Sequence, residues 1–389
     1  MLELLFLLLP IAAGYGWYMG RRGLHQNQQQ SSNKLSRDYV TGLNFLLSDQ
    51  PDKAVDLFIE LLEVDSETIE THLALGNLFR QRGEVDRAIR IHQNLIARPS
   101  LTAEQKHLAM SQLAKDYSAA GLIDRSEALF LQLVVEPDYK IQALQQLLLI
   151  YQQTKEWLKA IKVAQQLQKS QVKTAVRDIA HFHCELANEA HLAGEIKAAM
   201  SELKKALQVD KRCVRASIGL ADLMIEQADY KQALKYLAMV VEQDIDFVSE
   251  TLPRLEVCFR QAHDPQGMIS WLDNAWNKGA GASVGLKIAD YIAQKQGIES
   301  GEAAVAKQLV KNPTMKGFYQ LMVYHLELAE EGRAKTSLDS LRKLVLEQLK
   351  MSPNCRCRKC GFATKSIFWQ CPSCKSWGSV KPIRGLDGE

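Results

Sequence analysis

The sequence predicts an all-α protein built from repeated helix pairs, with an apolar segment before the repeats and a small cysteine module after them. Three observations predict this architecture. The 389 residues include only 22 glycines and 10 prolines, well below the average usage of about 12% for the two together. Small and large apolar residues recur at a fixed interval through the middle of the chain. Five of the eight cysteines lie between Cys355 and Cys374.

Composition sets limits on function. The chain is 47% hydrophobic and 24% charged, which excludes disorder over most of its length. The formal net charge of +3 implies no polyelectrolyte partner for the whole chain. Residues 351–389 nevertheless hold only two acids and seven bases, namely Arg356, Arg358, Lys359, Lys365, Lys375, Lys381 and Arg384. A basic C-terminal module therefore follows a near-neutral body.

The first element is an apolar segment from Leu2 to Met19 in which Glu3 is the only charged residue. As a helix it would extend about 27 Å at 1.5 Å per residue, close to the ~30 Å hydrocarbon core of a bilayer. Tyr15, Trp17 and Tyr18 lie at one end, as in an interfacial aromatic belt. We predict a transmembrane helix within residues 1–20.

The charges around this segment favour a retained anchor over a cleaved signal peptide. A signal peptide has positive charge before its apolar run, whereas Arg21 and Arg22 follow it here. The positive-inside rule then predicts a cytoplasmic body. Residues 21–34, which are rich in glutamine and serine, are predicted to be a polar linker.

The body shows a regular period, seen in the interval from Ala54 to Ala88. Small residues at such positions let two helices approach closely, and glycine in the intervening turn permits a positive φ angle. The recurring residues include Gly42, Phe45, Ala54 and Phe58, then Gly76, Phe79, Gly83 and Ala88, then Tyr117, Gly121, Ser126 and Phe130, then Tyr151, Ala160, Ala190, Gly194, Ala199, Leu203, Ala233, Leu237, Gly267 and Trp271. We predict that the aromatic residues and alanines among them form core.

This period resembles that of the tetratricopeptide repeat, which is about 34 residues. The resemblance covers about 35–275, and looser helix pairs are predicted at 286–310 and 317–350, so residues 35–350 are assigned to the repeats. Such repeats stack into a superhelix whose concave face binds proteins. Partner-contacting residues are expected between the consensus positions on the first helices, which one sequence does not identify individually.

The C-terminal module, residues 351–389, contains two CxxC pairs separated by ten residues. Two CxxC turns facing each other form a tetrahedral S₄ site, and a module this small needs the metal in order to fold. We predict one metal ion, iron or zinc, with the ligands Cys357, Cys360, Cys371 and Cys374. The turns resemble those of rubredoxin-type and zinc-ribbon domains. Cys355 is interpreted as a strand residue beside the site.

The bases of the module, together with Trp369 and Trp377 as stacking residues, leave open a nucleic-acid site. Since four thiolates with one divalent ion carry two negative charges, we favour charge compensation and solubility as the role of these bases. We expect the two tryptophans to cover the metal turns or to pack on the last helices.

No catalytic residues are predicted. Gly281, Ser283 and Gly285 match the G-x-S-x-G nucleophile motif, which needs a preceding strand. Here the motif joins two helical segments, and we interpret it as a turn between repeats. His181 and His183 are two residues apart, on different faces of a helix, and make a poor ligand pair.

Taken together, the anchor, the repeats and the module ending in KPIRGLDG resemble the lipopolysaccharide assembly protein B family over the whole length. The resemblance implies a single-pass protein of the bacterial inner membrane, with a periplasmic N-terminus and a cytoplasmic body. It implies an adaptor that promotes degradation of the lipid A deacetylase LpxC by the protease FtsH. Further implied partners are an inner-membrane regulator and other lipopolysaccharide-synthesis or transport proteins. Cys355 departs from the family pattern, in which an aromatic residue is expected.

Two other functions remain open at this point. One is a membrane-tethered nucleic-acid-binding protein that uses the basic module, which the neutral balance of the whole chain disfavours. The other is a redox protein that uses an iron S₄ centre. The shortness of the segment between the CxxC pairs, compared with electron-transfer rubredoxins, argues against it.

Overall fold

The computed structural model describes residues 40–42, 44–45, 53–54, 57, 69–170 and 175–389. The expected membrane span at Leu2–Met19 and the linker at 21–34 lie outside these residues. Within the described part of the chain, no helix combines the length and the apolar character needed to cross a bilayer.

From Ile69 onward, the described residues form sixteen α-helices, most of which pack against the next helix in the chain. The helices are α1 Ile69–Gln81, α2 Val85–Ile96, α3 Ala103–Ala119, α4 Ile123–Leu133, α5 Pro137–Gln153, α6 Trp157–Lys169, α7 Ala175–Leu192, α8 Ile196–Val209, α9 Val214–Glu226, α10 Tyr230–Gln243, α11 Val248–Gln261, α12 Pro265–Asn277, α13 Ala282–Gln296, α14 Ile298–Lys311, α15 Met315–Leu328 and α16 Arg333–Met351. A 3₁₀ turn, Ile245–Phe247, precedes α11. The body is all-α, with the helix pairs that the sequence predicts after residue 275.

The chain divides into two compact units, with the boundary between Ile150 and Tyr151. In the first unit the recurring alanines that the structure describes are core, as predicted. Ala54 and Ala88 are fully buried, and Phe45 packs against the same apolar cluster. The close approach of helices at such positions is visible at Gly76, where an added Cβ would clash with the ring of the buried His92.

The second unit holds α6 to α16 and the C-terminal module. One core cluster of this unit runs from α9 to α13 and includes Ala233, Leu237 and Val284, all of which are fully buried. The module adds three short strands, β1 Cys355–Cys357, β2 Ala363–Thr364 and β3 Val380–Pro382. They form an antiparallel sheet in the order β2-β1-β3.

The repeat period is preserved in the backbone of the turns. Gly194 adopts the expected left-handed conformation, and Ala228, one repeat period later, adopts it without being glycine, at φ 59°. Lys155 and His263 do the same at φ 59° and 52°. The sequence did not reveal these three turn positions, because their side chains are not those that favour a positive φ.

Candidate metal centre and the groove beside it

The four cysteines of the two CxxC pairs converge. Their Sγ atoms all lie within 4.8 Å of one another. The Cys357–Cys374 and Cys360–Cys371 Sγ distances are both 3.7 Å. A tetrahedral ion with bonds of about 2.3 Å to sulfur has edges of about 3.8 Å. The donor set therefore fits zinc or iron.

Each CxxC pair forms the same backbone turn. The amide of Gly361 donates to the carbonyl of Cys357 at 3.0 Å, and the amide of Lys375 donates to the carbonyl of Cys371 at 2.9 Å. Both residues have positive φ, 79° for Gly361 and 56° for Lys375. The sequence suggested glycine in the first turn but gave no signal for the lysine in the second.

Hydrogen bonds around Cys357 favour its thiolate. Although burial opposes ionisation, a hydrogen bond between Cys357 and Ser379, together with those from the amides of Cys360 and Lys359, lowers the pKa of Cys357 to about 6. The Ser379 Oγ lies 3.3 Å and the Lys359 amide nitrogen 3.4 Å from the sulfur. Since metal ligands must be deprotonated, this environment favours the form of Cys357 that binds a metal ion.

Cys355 lies beside this site and outside the S₄ group. It is in β1, where it pairs with Thr364 and Pro382, and it is 2% exposed. Burial, followed by the charge of Glu250, raises its pKa to about 11. The interpretation of Cys355 as a strand residue is confirmed.

The module docks on helices in the middle of the repeats, through Trp377. The indole ring is buried at 4% exposure. It stacks on His181, with centroids 5.2 Å apart, and meets Phe182 and Trp157 edge-on at 5.8 and 6.2 Å. Its Nε1 donates to Oε1 of Gln152 at 2.8 Å.

A second aromatic contact joins the module to the 3₁₀ turn, where Trp369 stacks on Phe247 at 5.6 Å. The expectation that the tryptophans pack on the last helices is therefore wrong, because the module folds back to residues 152–247. Trp377 is buried by this docking and is not free to stack on a base.

Two of the seven bases in the module form ion pairs at this interface rather than serving only solubility. Lys381 Nζ lies 2.6 Å from Asp244, and Arg384 Nε lies 2.7 Å from Asp246. Arg384 also donates to the carbonyl of Gly279 at 2.8 Å.

The prediction that the G-x-S-x-G segment is a turn between repeats is correct only for Gly281, because Ser283 and Gly285 lie in the first turn of α13. Gly281 is the N-cap of α13. Ser283 donates its amide and its hydroxyl to the Glu389 carboxylate at 2.9 and 2.7 Å, and Lys316 Nζ lies 2.5 Å from the same carboxylate. Ser283 thus anchors the end of the module to the repeats.

Each of four residues that looked isolated in sequence contacts another side chain in the fold, namely His181, His183, Cys184 and Cys213. His183 Nδ1 lies 2.7 Å from Glu202, whereas His181 is covered by Trp377. Cys184 and Cys213, which looked unrelated in sequence, have their sulfurs 3.9 Å apart. No sequence spacing signals that pair.

A groove of about 850 Å³ lies between the first helices of three successive pairs and the module. Helices α7, α9 and α11 supply most of its surface, and the module supplies Ile367 and Trp369. Arg254 bridges to Asp222 within it, with contacts of 2.6 and 3.0 Å. This array groove is lined by apolar residues and by charged residues of both signs, and the metal module supplies part of its wall.

Comparison with known proteins supports this description of the modules. Residues 356–382 match a rubredoxin metal binding domain family, and residues 71–104 and 190–247 match tetratricopeptide repeat families. The chain has the same repeat type in both units.

Full-length relatives carry a common name. Lipopolysaccharide assembly protein B of Escherichia coli strain K12 is 51% identical over 388 residues, covering 100% of both chains. The protein of that name from Haemophilus influenzae is 46% identical, covering 98% of each chain. Among solved structures, the C-terminal part of a repeat protein from Cytophaga hutchinsonii covers 73% of this chain and 99% of its own at 14% identity and a TM-score of 0.38.

Proposed function

The chain belongs to the lipopolysaccharide assembly protein B family, and on that premise we propose that it is a non-enzymatic adaptor that regulates lipopolysaccharide synthesis. In this proposal it promotes FtsH-dependent degradation of LpxC. It also gathers lipopolysaccharide-synthesis or transport proteins at the inner membrane and responds to an inner-membrane regulator.

The array groove is the observation that carries the proposal. Concave faces of stacked helical repeats bind segments of other proteins, and 850 Å³ is ample for several side chains. Asn188 is exposed on the α7 wall, and Trp369 forms part of the opposite wall. We propose this surface as the partner site that the sequence left unassigned.

The proposed metal ion has a structural role. With Cys357, Cys360, Cys371 and Cys374 as its ligands, it would fix the fold of the module, which is too small to fold through its core alone. Because Ile367 and Trp369 lie between the two CxxC pairs and also line the groove, the metal would hold one wall of the partner site. Iron and zinc both suit this role.

A non-enzymatic role agrees with the surroundings of Ser283. Its hydroxyl is bound to Glu389 and also accepts a hydrogen bond from Lys316 at 3.2 Å. A serine nucleophile requires a general base that is oriented to take its proton, and a carboxylate that itself pairs with Lys316 serves here as an anchor.

The proposed anchor at Leu2–Met19 gives the adaptor its location, with the N-terminus periplasmic and the body cytoplasmic. Confinement to the membrane raises the effective concentration of two membrane-localised partners for each other. A chain without residues 2–19 would retain its groove and lose this advantage.

The test is the half-life of LpxC in cells. We expect a longer half-life in cells without this chain, full restoration by the intact chain and partial restoration by a chain lacking residues 2–19. An LpxC half-life that is the same with and without the chain would refute the proposed adaptor role. Full restoration by the truncated chain would refute the role of the anchor alone.

A further inference from the structure

A second cavity, of about 430 Å³, lies where the module meets α7, α9 and the end of α10. Trp369 and Arg215 separate it from the array groove, since both line each of the two spaces. We call it the basic cavity. Its charged lining residues are Arg177, Arg212, Arg215, Lys381, Asp210 and Asp244.

Four cations against two carboxylates leave the lining with a surplus of two positive charges. Two of the cations are already paired, because Lys381 contacts Asp244 and Arg215 lies 2.8 Å from Glu185. Arg177 and Arg212 make no ion pair within 4.0 Å to any residue that the structure describes, and both are exposed. Their guanidinium groups are available to a ligand.

The cavity also contains a helix N-terminus without a side-chain cap. Helix α9 begins at Val214, and its N-cap residue Cys213 makes no capping hydrogen bond through its side chain. Cys213, Val214 and Arg215 all line the cavity. The first amides of a helix have no partner within the helix, and with the helix dipole they attract anions.

His181 supplies an independent sign of a missing ligand. Its side chain is 4% exposed and lines the cavity, and its buried Nδ1 has no hydrogen-bond partner among the described residues. Buried polar atoms are rarely left unsatisfied. Burial, followed by the charges of Arg215 and Arg177, lowers the pKa of His181 to about 3. The imidazole is therefore neutral at physiological pH and carries one N–H donor.

We infer that the basic cavity binds the phosphate group of a small phosphate-bearing molecule. Arg177, Arg212, the start of α9 and His181 all line this one space. Such an arrangement suits the several oxygens of a phosphate better than the two of a carboxylate. This inference is independent of the adaptor function.

The test is calorimetric titration of the purified, metal-loaded full chain with pyrophosphate. We expect saturable binding that weakens at least tenfold in the double variant Arg177→Gln/Arg212→Gln. The matched control is Arg333→Gln, at an exposed arginine that lies on α16, away from the cavity. It should bind as the unaltered chain does. Circular dichroism melting establishes that the double variant is folded.

Two further titrations distinguish a soluble ligand from a lipid headgroup. Dihexanoyl phosphatidic acid presents a phosphomonoester on a short-chain lipid, and dihexanoyl phosphatidylcholine is its control. Binding of pyrophosphate alone assigns the site to soluble phosphates, and Arg212-dependent binding of the phosphatidic acid assigns it to a headgroup. The inference is overturned if neither phosphate compound binds saturably, if the double variant binds equally well, or if succinate binds as tightly as pyrophosphate.

Discussion

The indole N–H of Trp377 donates a hydrogen bond to Oε1 of Gln152 at 2.8 Å, which joins residues 225 apart in sequence. Gln370 Nε2 donates to the same oxygen at 3.0 Å. One amide near the start of the second unit thereby binds both flanks of the second CxxC pair. The metal module is part of the helical array and forms a wall of its groove.

Replacing Trp377 by alanine should undock the module. Loss of a buried tryptophan costs about 3–5 kcal/mol of unfolding free energy, and it leaves Trp157 and His181 exposed to water. We expect this loss in urea unfolding, together with faster amide exchange in α6 and α7. The matched control is Phe368→Ala in the same module, at a side chain that is 43% exposed. Equal destabilisation by the two changes would contradict the docking contact.

The proposed metal ligands include Cys357 and Cys371 but not Cys355. Serine at Cys357 or Cys371 should reduce bound metal from one ion per chain to well below that, since each removes one of four thiolates. Cys355→Ala should retain the full metal content and lose only packing. Elemental analysis of the purified chains measures this. An intact metal content in Cys371→Ser, or its loss in Cys355→Ala, would refute the assignment.

The left-handed turn at Ala228 predicts a stabilising substitution. Ala228→Gly removes the clash of Cβ at positive φ, and the net gain should be about 0.5–1 kcal/mol after the greater chain entropy of glycine is counted. Ala193→Gly, which lies one residue before the left-handed Gly194 and does not itself have positive φ, should destabilise instead. Thermal unfolding of both variants provides the comparison. A lower melting temperature for Ala228→Gly would contradict the backbone description.

His181 and Asp178 should have opposite effects on acid stability. With a folded pKa of about 3 against the usual 6.5, His181 binds fewer protons in the folded chain, so it lowers stability as pH falls below 6.5. Burial raises the pKa of Asp178 from 3.8 to about 6, so this residue raises stability as pH falls through 6.

The measurement is the change in unfolding free energy between pH 7 and pH 5. Relative to the unaltered chain, His181→Phe should reduce the loss of stability on acidification, and Asp178→Asn should increase it. If the two substitutions changed the loss of unfolding free energy in the same direction, the pKa shifts assigned to His181 and Asp178 would be contradicted.

The helical body follows from sequence because its determinants are local and periodic. Ala54 and Ala88, one repeat period apart, are both fully buried, since the close approach of paired helices allows nothing larger there. The CxxC pairs are equally local, because two residues between cysteines are enough to bring both sulfurs to one ion.

The sequence does not predict where the module docks on the repeats. Trp377 meets its partners through contacts that are remote in sequence, and no periodicity encodes them. The same holds for the basic cavity, where Arg177, Arg212 and Lys381 come from three separate segments. In sequence each is an ordinary surface cation, and only the fold brings them around His181.

The most direct test of the central claim is the affinity of purified LpxC for the full chain with an altered groove. Asn188→Arg places a bulky cation on the exposed α7 wall of the groove, and Asn274→Arg makes the same change at an exposed position of α12. We predict at least a tenfold weaker affinity for Asn188→Arg and an unchanged affinity for Asn274→Arg. Equal affinities for the two variants and the unaltered chain would show that the array groove is not the partner site.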